Sequence, residues 1–441
     1  MSKTPGICIL AAGKGTRMKS SLPKVLQPVA GGPLIEYVLE AVGGLAGSAT
    51  APVVLVVGHQ HELVQRSVTD ILIGAPAGSP LAQLKPQFVV QEPQLGTGHA
   101  VQIAASAFQQ LANDGGELFV LLGDVPLITT ATLDRLLAHH REMFAAATML
   151  TMEVPDPTGY GRVLRDGQGM VEGVVEHKDA SDGQRRIREV NTGIFVFNAR
   201  ALLEALPALS SENASGEFYL PDVIPVLLRA GRKCAALMAA DPMEVQGVNS
   251  FRQLAVVDRA IRDRIIGKLM DSGVYIMDPA TTWIDKGVEI GPDTTILPHV
   301  VIRRGVKIGS HCEVGPFAHL RVGTLLHDTA EIGNFVEAKK AEIGPHTKAK
   351  HLTYLGDVTI GENTNVGAGT IICNYDGQKK HHTVIGSHCF IGSGSMIVAP
   401  RTIADRGRTG AGSVVTKDVA EGVTVAGIGT AAKPLRGKFK S

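Results

Sequence analysis

The sequence predicts an α/β protein in two parts, a domain built on a mostly parallel sheet followed by a parallel β-helix. Three observations carry this prediction. At 441 residues the chain exceeds the length that one hydrophobic core usually supports, which indicates two or three domains. Up to about Asn249, short apolar runs alternate with longer helix-like segments. From Ile284 onward an aliphatic residue recurs at every sixth position.

The first part has the strand-and-helix alternation of a sheet covered by helices. Its apolar runs include residues 53–57, 119–122 and 194–197, and its helix-like segments include residues 34–42 and 130–139. We therefore expect an open α/β sheet, which binds its ligands at the carboxyl ends of its strands.

A single helix is predicted between the two parts. Apolar residues with 3, 4, 4, 4 spacing line one helix face, with Asn249 or Ser250 as the N-cap and Gly273 near the end. These residues are Leu254, Val257, Ile261, Ile265 and Leu269. The predicted boundaries are 1–251 for the first domain, 252–272 for the linker helix and 273–441 for the second domain.

The second part is a six-residue repeat. Each unit turns one aliphatic side chain inward and three units make a triangular coil, so stacked coils bury a continuous aliphatic column. The unbroken run is Ile284, Ile290, Ile296, Ile302, Ile308, Val314, Leu320, Leu326 and Ile332. The period resumes in a shifted register at Ile360, Val366, Ile372, Ile385, Ile391, Ile397 and Ile403.

Polar residues interrupt this repeat where its register shifts. They are Lys339, Lys340, His351, Asn374, Tyr375, Lys379 and Lys380. A structural stalk with plain loop insertions is one interpretation. Because a coil core needs none of these side chains, we interpret the interruptions as loops that are displaced from a rigid scaffold and carry function.

Composition excludes several functional classes. The chain is 44% hydrophobic and 19% charged, as soluble globular proteins are, and its net charge of +1 argues against a general nucleic-acid binder. Its five cysteines form no C-x-x-C pair, which predicts reduced thiols rather than disulfides or a zinc site. With neither a signal peptide nor a membrane span expected, we predict a cytoplasmic protein without nucleic-acid or membrane partners.

A glycine-rich turn follows the first apolar run. Residues 10–18 read LAAGKGTRM, which is neither a P-loop nor the dinucleotide fingerprint. A strand-to-helix turn of this kind presents backbone N–H groups to an anion, and Lys14, Arg17 and Lys24 add positive charge. A nucleoside triphosphate is the expected ligand, and a tight structural turn is the alternative.

A carboxylate follows another apolar run. Residues 123–126 read GDVP, so Asp124 is expected at the carboxyl end of a sheet strand. Mg2+ suits such a position because it prefers few carboxylates together with phosphate oxygens. The alternative role of Asp124 is that of a turn former before Pro126.

Segments along the whole chain resemble the bacterial GlmU family. The uridyltransferase half of that family is similar to LAAGKGTR (10–17), LPK (22–24), QLGTG (94–98), GDVP (123–126), TGYGR (158–162), VEHKD (175–179) and NTG (191–193). Its acetyltransferase half is similar to GNFVE (333–337), HLTYLGD (351–357) and CNYDG (373–377), in the same order. The resemblance implies a Rossmann-like nucleotidyltransferase domain, a linker helix and a left-handed parallel β-helix of hexapeptide repeats.

The resemblance also implies two reactions. Glucosamine-1-phosphate would be acetylated with acetyl-CoA, and the product coupled to UTP with release of pyrophosphate and UDP-N-acetylglucosamine, a precursor of peptidoglycan and lipopolysaccharide. The sugar phosphate attacks the α-phosphorus of UTP in line, so the protein must align two anions and needs no covalent nucleophile. Arg17 and Lys24 are expected to neutralise the leaving pyrophosphate together with Mg2+.

In the first domain the resemblance assigns three sets of residues. It implies that the nucleotide is bound by Leu10, Ala11, Ala12, Gly13, Lys24, Gln91, Gly96 and Thr97. It implies that the sugar is held by Gly161, Glu176 and Asn191, although a solvated surface charge is the alternative role of Glu176. It implies that Mg2+ is shared by Asp124 and Asn249.

In the second domain the resemblance makes His351 the base of acetyl transfer. This reaction needs a base near the pKa of the amine and a group that stabilises the tetrahedral oxyanion, and histidine fits the first task. The sugar phosphate would be held by Arg321, Lys339 and Lys380, and the substrate and thioester would be surrounded by Tyr354, Asn365, Asn374 and Tyr375. The acetyl-CoA contacts would come from Ala368, Ser393 and Ala411. With fifteen histidines in the chain, the alternative for His351 is a structural or surface role.

One position departs from the family pattern. Relatives often carry an arginine that contacts the coenzyme where this chain has Ile428, and Lys433 or Arg436 is a candidate replacement. The resemblance further implies a homotrimer with active sites between neighbouring coils, in which Lys380 can serve an adjacent chain.

Two other functions compete with the bifunctional one. The first is a monofunctional sugar-1-phosphate nucleotidyltransferase with a non-catalytic β-helix, against which His351, Asn374 and Tyr375 argue. The second is a non-catalytic assembly subunit of the same layout, against which Arg17, Lys24 and Asp124 argue.

Overall fold

The structure is a computed structural model that describes residues 4–45 and 47–427, and the backbone of 433–434. The chain divides into two compact units, residues 1–258 and 259–441. The hydrophobic clusters of residues 7–245 and of residues 266–425 are separate, so each unit has a core of its own.

The first unit contains a mixed sheet of nine strands and a separate two-stranded one. The path through the large sheet is β11-β7-β10-β6-β1-β4-β5, and β8 and β9 extend from β10. The strands are β1 (Gly6–Ala11), β2 (Pro28–Val29), β3 (Gly32–Pro33), β4 (Val53–Val57), β5 (Gln87–Val90), β6 (Glu117–Leu122), β7 (Ala147–Glu153), β8 (Arg162–Arg165), β9 (Val171–Val175), β10 (Glu189–Asn198) and β11 (Cys234–Met238).

Helices are inserted between these strands. They are α1 (Leu34–Gly43), α2 (His61–Ile73), α3 (Thr97–Ala104), α4 (Gln109–Asn113), α5 (Thr130–Glu142), α6 (Asp182–Arg185), α7 (Ala199–Ala205) and α8 (Val223–Arg229). Helix α9 (Phe251–Asp271) follows them, and Ser250 Oγ accepts from the backbone N–H of Gln253 at its start.

Alternate residues of β1 face opposite sides of the sheet, which explains why its whole length is apolar. Ile7 and Ile9 belong to one core cluster, whereas Cys8 and Leu10 belong to the other. A strand buried on both faces reads as a continuous apolar run. The same holds for β4, whose bounds match the predicted run 53–57.

The expectation of a mostly parallel sheet holds for β1, β4, β5 and β6, which pair in parallel. Strand β10 is antiparallel to both of its neighbours, β6 and β7, and β8 and β9 form an antiparallel ribbon beside it. Since β1, β4, β5 and β6 run in one direction, their carboxyl ends meet at one edge, and the glycine-rich turn and Asp124 lie there.

The second unit is a parallel β-helix. Strands on one side of a coil pair in parallel with strands of the next coil, as in the register of Ile296 with Val314 and of Val314 with Ile332. The inward aliphatics of the repeat are buried, and Ile290 is partly buried.

The strands of the second unit are short. They are β12 (Tyr275–Ile276), β13 (Trp283–Ile284), β14 (Glu289–Ile290), β15 (Thr295–Ile296), β16 (Val301–Ile302), β17 (Lys307–Ile308), β18 (Glu313–Val314), β19 (His319–Leu320), β20 (Leu325–Leu326), β21 (Glu331–Asn334), β22 (Glu337–Ile343), β23 (Lys348–His351), β24 (Tyr354–Ile360), β25 (Asn365–Val366), β26 (Ile371–Cys373), β27 (Thr383–Ile385), β28 (Phe390–Ile391), β29 (Met396–Val398), β30 (Thr402–Ile403), β31 (Arg408–Thr409), β32 (Val414–Val415), β33 (Thr424–Ala426) and β34 (Lys433–Pro434).

The interpretation of the register shifts as displaced loops is wrong for two of the three. Strands β22 and β24 run without interruption through a coil corner, where Lys340 and Asp357 have φ of 46° and 50°. At these corners the repeat unit is shorter than six residues, and the chain turns without forming a loop. Lys339 lies on β22 and His351 on β23, so both are on strands. Only the segment between β26 and β27 leaves the coil, and it carries Asn374 through His382.

Two further observations concern the cysteines and the helices. All five cysteines are free thiols, and burial raises the pKa of Cys8 and of Cys234 to about 12. Across the described residues, no helix combines the length and the apolar character needed to cross a membrane.

Candidate active sites

The first site lies where β1 and β6 end. Leu10, Ala11 and Ala12 are buried, whereas Gly13 is exposed at the start of the turn. The backbone N–H of Gly123 donates to Leu10 O at 2.9 Å, which ties the two strand ends together. The glycine-rich turn and the loop of Asp124 therefore face the same space.

Lys24 lies between two oxygen atoms that were expected to share a metal. Its Nζ forms an ion pair with Asp124 Oδ2 and donates to Asn249 Oδ1 at 3.2 Å. The backbone N–H of Val248 donates to Asp124 O at 3.0 Å, which brings Asn249 to the end of β6. Asp124 is itself 7% exposed, so this ion pair is largely shielded from water.

This arrangement fits the binding of Mg2+. The Lys24 ammonium is a stand-in cation, and its position shows that the oxygens of Asp124 and Asn249 converge on one point. Among the residues the structure describes, no group of three or more His, Cys, Asp or Glu could hold a metal by itself. A hard ion bound by two protein oxygens and completed by phosphate oxygens and water has the donor set that Mg2+ prefers.

Arg17 lies in the short turn Thr16–Met18, which packs against the Lys24 segment. Gly15 has φ of 61°, and a Cβ there would lie 2.8 Å from Lys24 Cβ, so the close approach requires glycine. Burial raises the pKa of Tyr160, while the charge of Arg17 lowers it and that of Asp124 raises it. The charges of Arg17 and Asp124 therefore both act on Tyr160.

Gln91, Gly96 and Thr97 form the next wall of the site. Gln91 Nε2 donates to Gly96 O at 2.9 Å, and Gly96 has φ of 101° at the start of α3. A Cβ on Gly96 would lie 2.6 Å from Phe218 O. Thr97 Oγ1 accepts from the backbone N–H of Leu220 at 3.1 Å, so its hydroxyl proton remains available to a ligand.

The three residues expected to hold the sugar lie together. The backbone N–H of Asn191 donates to Gly161 O at 2.8 Å, and a Cβ on Gly161 would lie 2.9 Å from Glu176 Oε1. Burial raises the pKa of Glu176, and the negative charges of Asp222 and Asp179 add to this effect. Glu176 is thus half-buried at the site rather than a solvated surface charge.

In the second unit, Arg321 and Lys339 lie on neighbouring coils, and Lys380, on the segment between β26 and β27, is close to Lys339. Proximity to Lys380 is the main cause that lowers the pKa of Lys339, and the charge of Arg321 lowers it further. Arg321 Nη1 donates to Glu337 Oε1 at 2.6 Å. Close positive charges of this kind are characteristic of a site for a dianionic phosphate.

His351 lies on the coil above Asn334. Its Nδ1 donates to Asn334 Oδ1 at 3.0 Å, and the two residues are in register between β21 and β23. With Nδ1 protonated, Nε2 carries a lone pair and can accept a proton. His351 is exposed, so Nε2 is accessible to a substrate.

Tyr354 and Asn374 close the same site. Asn374 Nδ2 donates to Asp357 Oδ2 at 2.5 Å and approaches the Tyr354 hydroxyl at 3.4 Å. A Cβ on Gly356 would lie 2.4 Å from that hydroxyl and 2.7 Å from Asn374 Nδ2. Glycine at this position therefore makes room for the Tyr354–Asn374 pair.

The residues expected to bind acetyl-CoA follow one corner of the coil. Gly369 N donates to His351 O at 3.4 Å, Gly394 N to Ala368 O at 2.7 Å and Gly412 N to Ser393 O at 2.8 Å. Ala368, Ser393 and Ala411 therefore continue from His351 along a stack of small residues. Asn365 and Tyr375 are exposed, on β25 and on the segment between β26 and β27.

The coenzyme contact questioned at Ile428 lies outside the described residues, as does Arg436. Of Lys433 the structure describes only the backbone, in β34.

Sequence reasoning missed several residues of both sites. Arg162 is 1% exposed, and its Nη1 donates to Tyr160 O at 2.5 Å and to His177 Nδ1 at 2.8 Å. Asn334 and Asp357 contact His351 and Asn374 across the coil stack. All of these residues stand inside the motifs that resemble the family, but no pattern in the sequence pairs them with their partners.

Comparisons with known proteins identify the family of the chain. Residues 7–287 match the nucleotidyl transferase family, and residues 284–321 match the bacterial transferase hexapeptide repeats. Bifunctional protein GlmU of Streptomyces coelicolor is 43% identical over 450 residues, covering 94% of this chain and 90% of its own length. The proteins of that name from Geotalea uraniireducens and Syntrophotalea carbinolica are 44% and 45% identical, each over 93% of this chain and over 93% and 92% of their own lengths.

The chain belongs to the bifunctional GlmU family. It is accordingly a transferase with two activities, a uridyltransferase in a Rossmann-like domain and an acetyltransferase in a hexapeptide-repeat β-helix, and it uses UTP and acetyl-CoA. The bifunctional prediction is confirmed over the monofunctional one. Among solved structures, an apo UDP-glucose pyrophosphorylase matches 59% of this chain and all of its own, at 16% identity and a TM-score of 0.47.

Proposed function

We propose that the chain makes UDP-N-acetylglucosamine in two steps at the two sites described above. The second unit acetylates glucosamine-1-phosphate, and the first unit transfers uridylyl from UTP to the product. The observation that carries the proposal is that each unit has its own set of polar groups. Lys24 contacts Asp124 and Asn249 in the first unit. In the second unit His351 pairs with Asn334, and Lys380 lies close to Lys339. The product would supply peptidoglycan and lipopolysaccharide synthesis.

In uridylyl transfer, the chain's own residues bind and orient two anions. Leu10 to Gly13, Gln91, Gly96 and Thr97 line the nucleotide, and Gly161, Glu176 and Asn191 line the sugar. When bound by Asp124 and Asn249, Mg2+ supplies charge that neutralises phosphate oxygens. Arg17 and Lys24 stabilise the negative charge that grows on the departing pyrophosphate.

In acetyl transfer, His351 Nε2 accepts the proton that the sugar amine loses as its nitrogen attacks the thioester carbonyl. Asn334 holds Nδ1 protonated and fixes the ring. Arg321, Lys339 and Lys380 hold the sugar phosphate by charge, and Asn365 and Tyr375 border the substrate. The Tyr354 hydroxyl accepts from Asn374 Nδ2, so it keeps its own proton and can donate to the tetrahedral oxyanion. Collapse of that intermediate breaks the C–S bond, and the coenzyme A thiolate that leaves takes up the proton held on His351 Nε2 and is released as a thiol.

Two further properties belong to this proposal. The hexapeptide-repeat fold supports a homotrimer. Lys380 lies beside Lys339 within a single chain. The free thiols support a reducing, cytoplasmic location.

The proposal is tested by supplying purified protein with glucosamine-1-phosphate, acetyl-CoA, UTP and Mg2+ and following free thiol and pyrophosphate separately. We expect His351→Ala to lower thiol release by about 10²- to 10⁴-fold, because a general base contributes that much. In assays started from N-acetylglucosamine-1-phosphate, we expect Asp124→Ala to lower pyrophosphate release by about 10²-fold or more.

Matched controls are available in each unit. The side chain of His327 is 40% exposed and paired with Glu342 at 2.9 Å, and Asp134 is exposed on α5. The alanine variants of these two residues should leave both rates unchanged. Loss of both reactions in His351→Ala, or in Asp124→Ala under these conditions, would contradict two separate sites.

A further inference from the structure

The segment between β26 and β27 forms a hairpin that has no hydrophobic core of its own. The backbone N–H of His381 donates to Asn374 O at 2.8 Å, that of Asp376 donates to Lys379 O at 3.2 Å, and Tyr375 pairs with Lys380. Residues 375–380 are all exposed. Polar contacts must therefore hold this hairpin, since no apolar side chain of residues 375–380 is buried.

The Asp376 carboxylate is the centre of those contacts. Oδ1 accepts from the backbone N–H of Gln378 at 2.8 Å and of Lys379 at 2.7 Å. Oδ2 accepts from His381 Nε2 at 2.6 Å. One side chain thus joins the turn of the hairpin to its returning strand. The same hydrogen bonds, those from Lys379 and His381 foremost, hold the pKa of Asp376 far below its ordinary value, so it is ionised.

These contacts flank Lys380 in the chain. Lys380 stands between Lys379 and His381, and Asp376 binds both of these neighbours. Lys380 in turn lies close to Lys339, and two like charges at short range push each other apart. Without a restraint, an exposed hairpin would relax in the direction that separates the two ammonium groups. The Asp376–His381 contact opposes that movement.

We propose that Asp376 and His381 are positioning residues for acetyl transfer, which clasp the hairpin so that Lys380 stays beside Lys339 to receive the sugar phosphate. The inference rests on the proposed function of the second unit. Neither side chain touches the reacting atoms. Their effect reaches the substrate through the backbone on either side of Lys380.

The test is steady-state acetyl transfer by full-length His381→Phe, which removes the donor and keeps an aromatic ring. We expect the KM for glucosamine-1-phosphate to rise about tenfold, because the free energy of one hydrogen bond to a charged group corresponds to a change of about that size. The kcat and the KM for acetyl-CoA should change less than about twofold, because the base and the coenzyme corner are not moved. Uridylyl transfer from UTP should be unchanged.

Three further variants make the test specific. His382→Phe is the matched control, since His382 is the exposed neighbour whose Nε2 contacts Thr359 Oγ1 at 3.1 Å outside the hairpin. His381→Gln, whose amide can donate to Asp376, should recover most of the wild-type KM. In a Lys380→Met background, His381→Phe should raise the KM no further, because both changes act through one cation.

The outcomes separate the possibilities. An unchanged KM for glucosamine-1-phosphate in His381→Phe would contradict the proposed role of Asp376 and His381. A fall in both the kcat of acetyl transfer and uridylyl transfer would contradict it too, and so would an equally large rise in KM when His381→Phe is made in the Lys380→Met background. If the wild-type enzyme releases no thiol from acetyl-CoA with glucosamine-1-phosphate, the proposed function of this unit fails and the clasp falls with it.

Discussion

A single hydrogen bond decides which nitrogen of His351 can take a proton. Asn334 Oδ1 accepts from Nδ1 at 3.0 Å, so the lone pair is on Nε2. An imidazole without this partner samples the other tautomer and other ring orientations, and a smaller fraction of molecules presents a base to the amine. The reactivity of His351 therefore depends on a residue on the preceding coil.

This dependence predicts the behaviour of Asn334→Ala. We expect the kcat of acetyl transfer to fall about tenfold, less than in His351→Ala, because the base is present but unrestrained. The KM for glucosamine-1-phosphate should change little, since the cations that hold the phosphate are untouched. Asn334→Asp, which still accepts from Nδ1, should retain more activity than the alanine variant. Equal kcat values in Asn334→Ala and wild type, measured by thiol release, would exclude this role.

We expect the ionised side chain of Glu176 to lower the stability of the first unit while it contributes to sugar binding. Burial, together with Asp222 and Asp179, holds its pKa above the ordinary value. Above the folded-state pKa the ionised side chain costs stability, and below the ordinary value, near 4.5, both folded and unfolded forms are protonated and the cost disappears. The cost is therefore present at neutral pH and is lost as the pH falls.

We expect Glu176→Gln to raise the free energy of unfolding at neutral pH and to converge with wild type below about pH 4. Urea denaturation followed by circular dichroism at several pH values measures this difference. The same change should raise the KM for N-acetylglucosamine-1-phosphate. Glu172→Gln is the control, because Glu172 is exposed on β9, the strand that ends one residue before Glu176. A Glu176→Gln variant that is less stable than wild type at neutral pH would contradict the argument.

At the scale of elements, the sequence predicts the repeat in detail, but it does not predict which side chains meet in the site that the repeat carries. Each inward aliphatic, such as Ile302 or Ile397, faces the same column, so its period appears directly in the sequence. The pairing of Asn334 with His351 arises from the stacking of coils, which joins residues from different turns. Sequence spacing alone does not show which side chains then face each other.

The sheet of the first unit shows the same difference. The buried strand β4 was predicted to its end residues, because a strand covered on both faces is apolar throughout. The direction of β10 was not predicted, since an apolar run has the same composition in a parallel and an antiparallel pairing. Asn191 and Gly161, which are proposed to hold the sugar, meet through the pairing of β10 with the ribbon.

At Gly356 the backbone of the coil leaves just enough room for the side chains of Tyr354 and Asn374. A Cβ there would meet the Tyr354 hydroxyl at 2.4 Å and Asn374 Nδ2 at 2.7 Å. Because both atoms are side-chain ends, we expect Gly356→Ala to displace this pair while the coil remains folded, and acetyl transfer to fall about tenfold or more. Thiol release measures the effect.

Gly267→Ala on α9 is the matched control, since no atom lies within 4 Å of its added Cβ. It should leave both activities unchanged and stabilise the helix by up to about 1 kcal/mol. Wild-type acetyl transfer in Gly356→Ala would show that the Tyr354–Asn374 pair is not required where it lies.

At the scale of the whole molecule, the two activities stand on separate cores. The aliphatic column draws on residues 266–425, and the clusters of the sheet draw on residues 7–245. A unit with its own core can unfold as its own cooperative step. The single tryptophan, Trp283, lies in the second unit, where Arg262 stacks over its ring at 3.4 Å, so tryptophan fluorescence reports on that unit alone.

These facts predict the result of a core truncation in one unit. Ile302 is fully buried, so Ile302→Ala should cost about 2–5 kcal/mol and lower the urea midpoint of the fluorescence transition and of acetyl-transfer loss. The urea midpoint for loss of uridylyl transfer should not move. Leu39 is equally buried in the first unit. Leu39→Ala should lower the urea midpoint for loss of uridylyl transfer and leave the midpoints of fluorescence and of acetyl-transfer loss unchanged. A shift of both midpoints in either variant would mean that the units unfold as one, and the stability of each site would then depend on both cores.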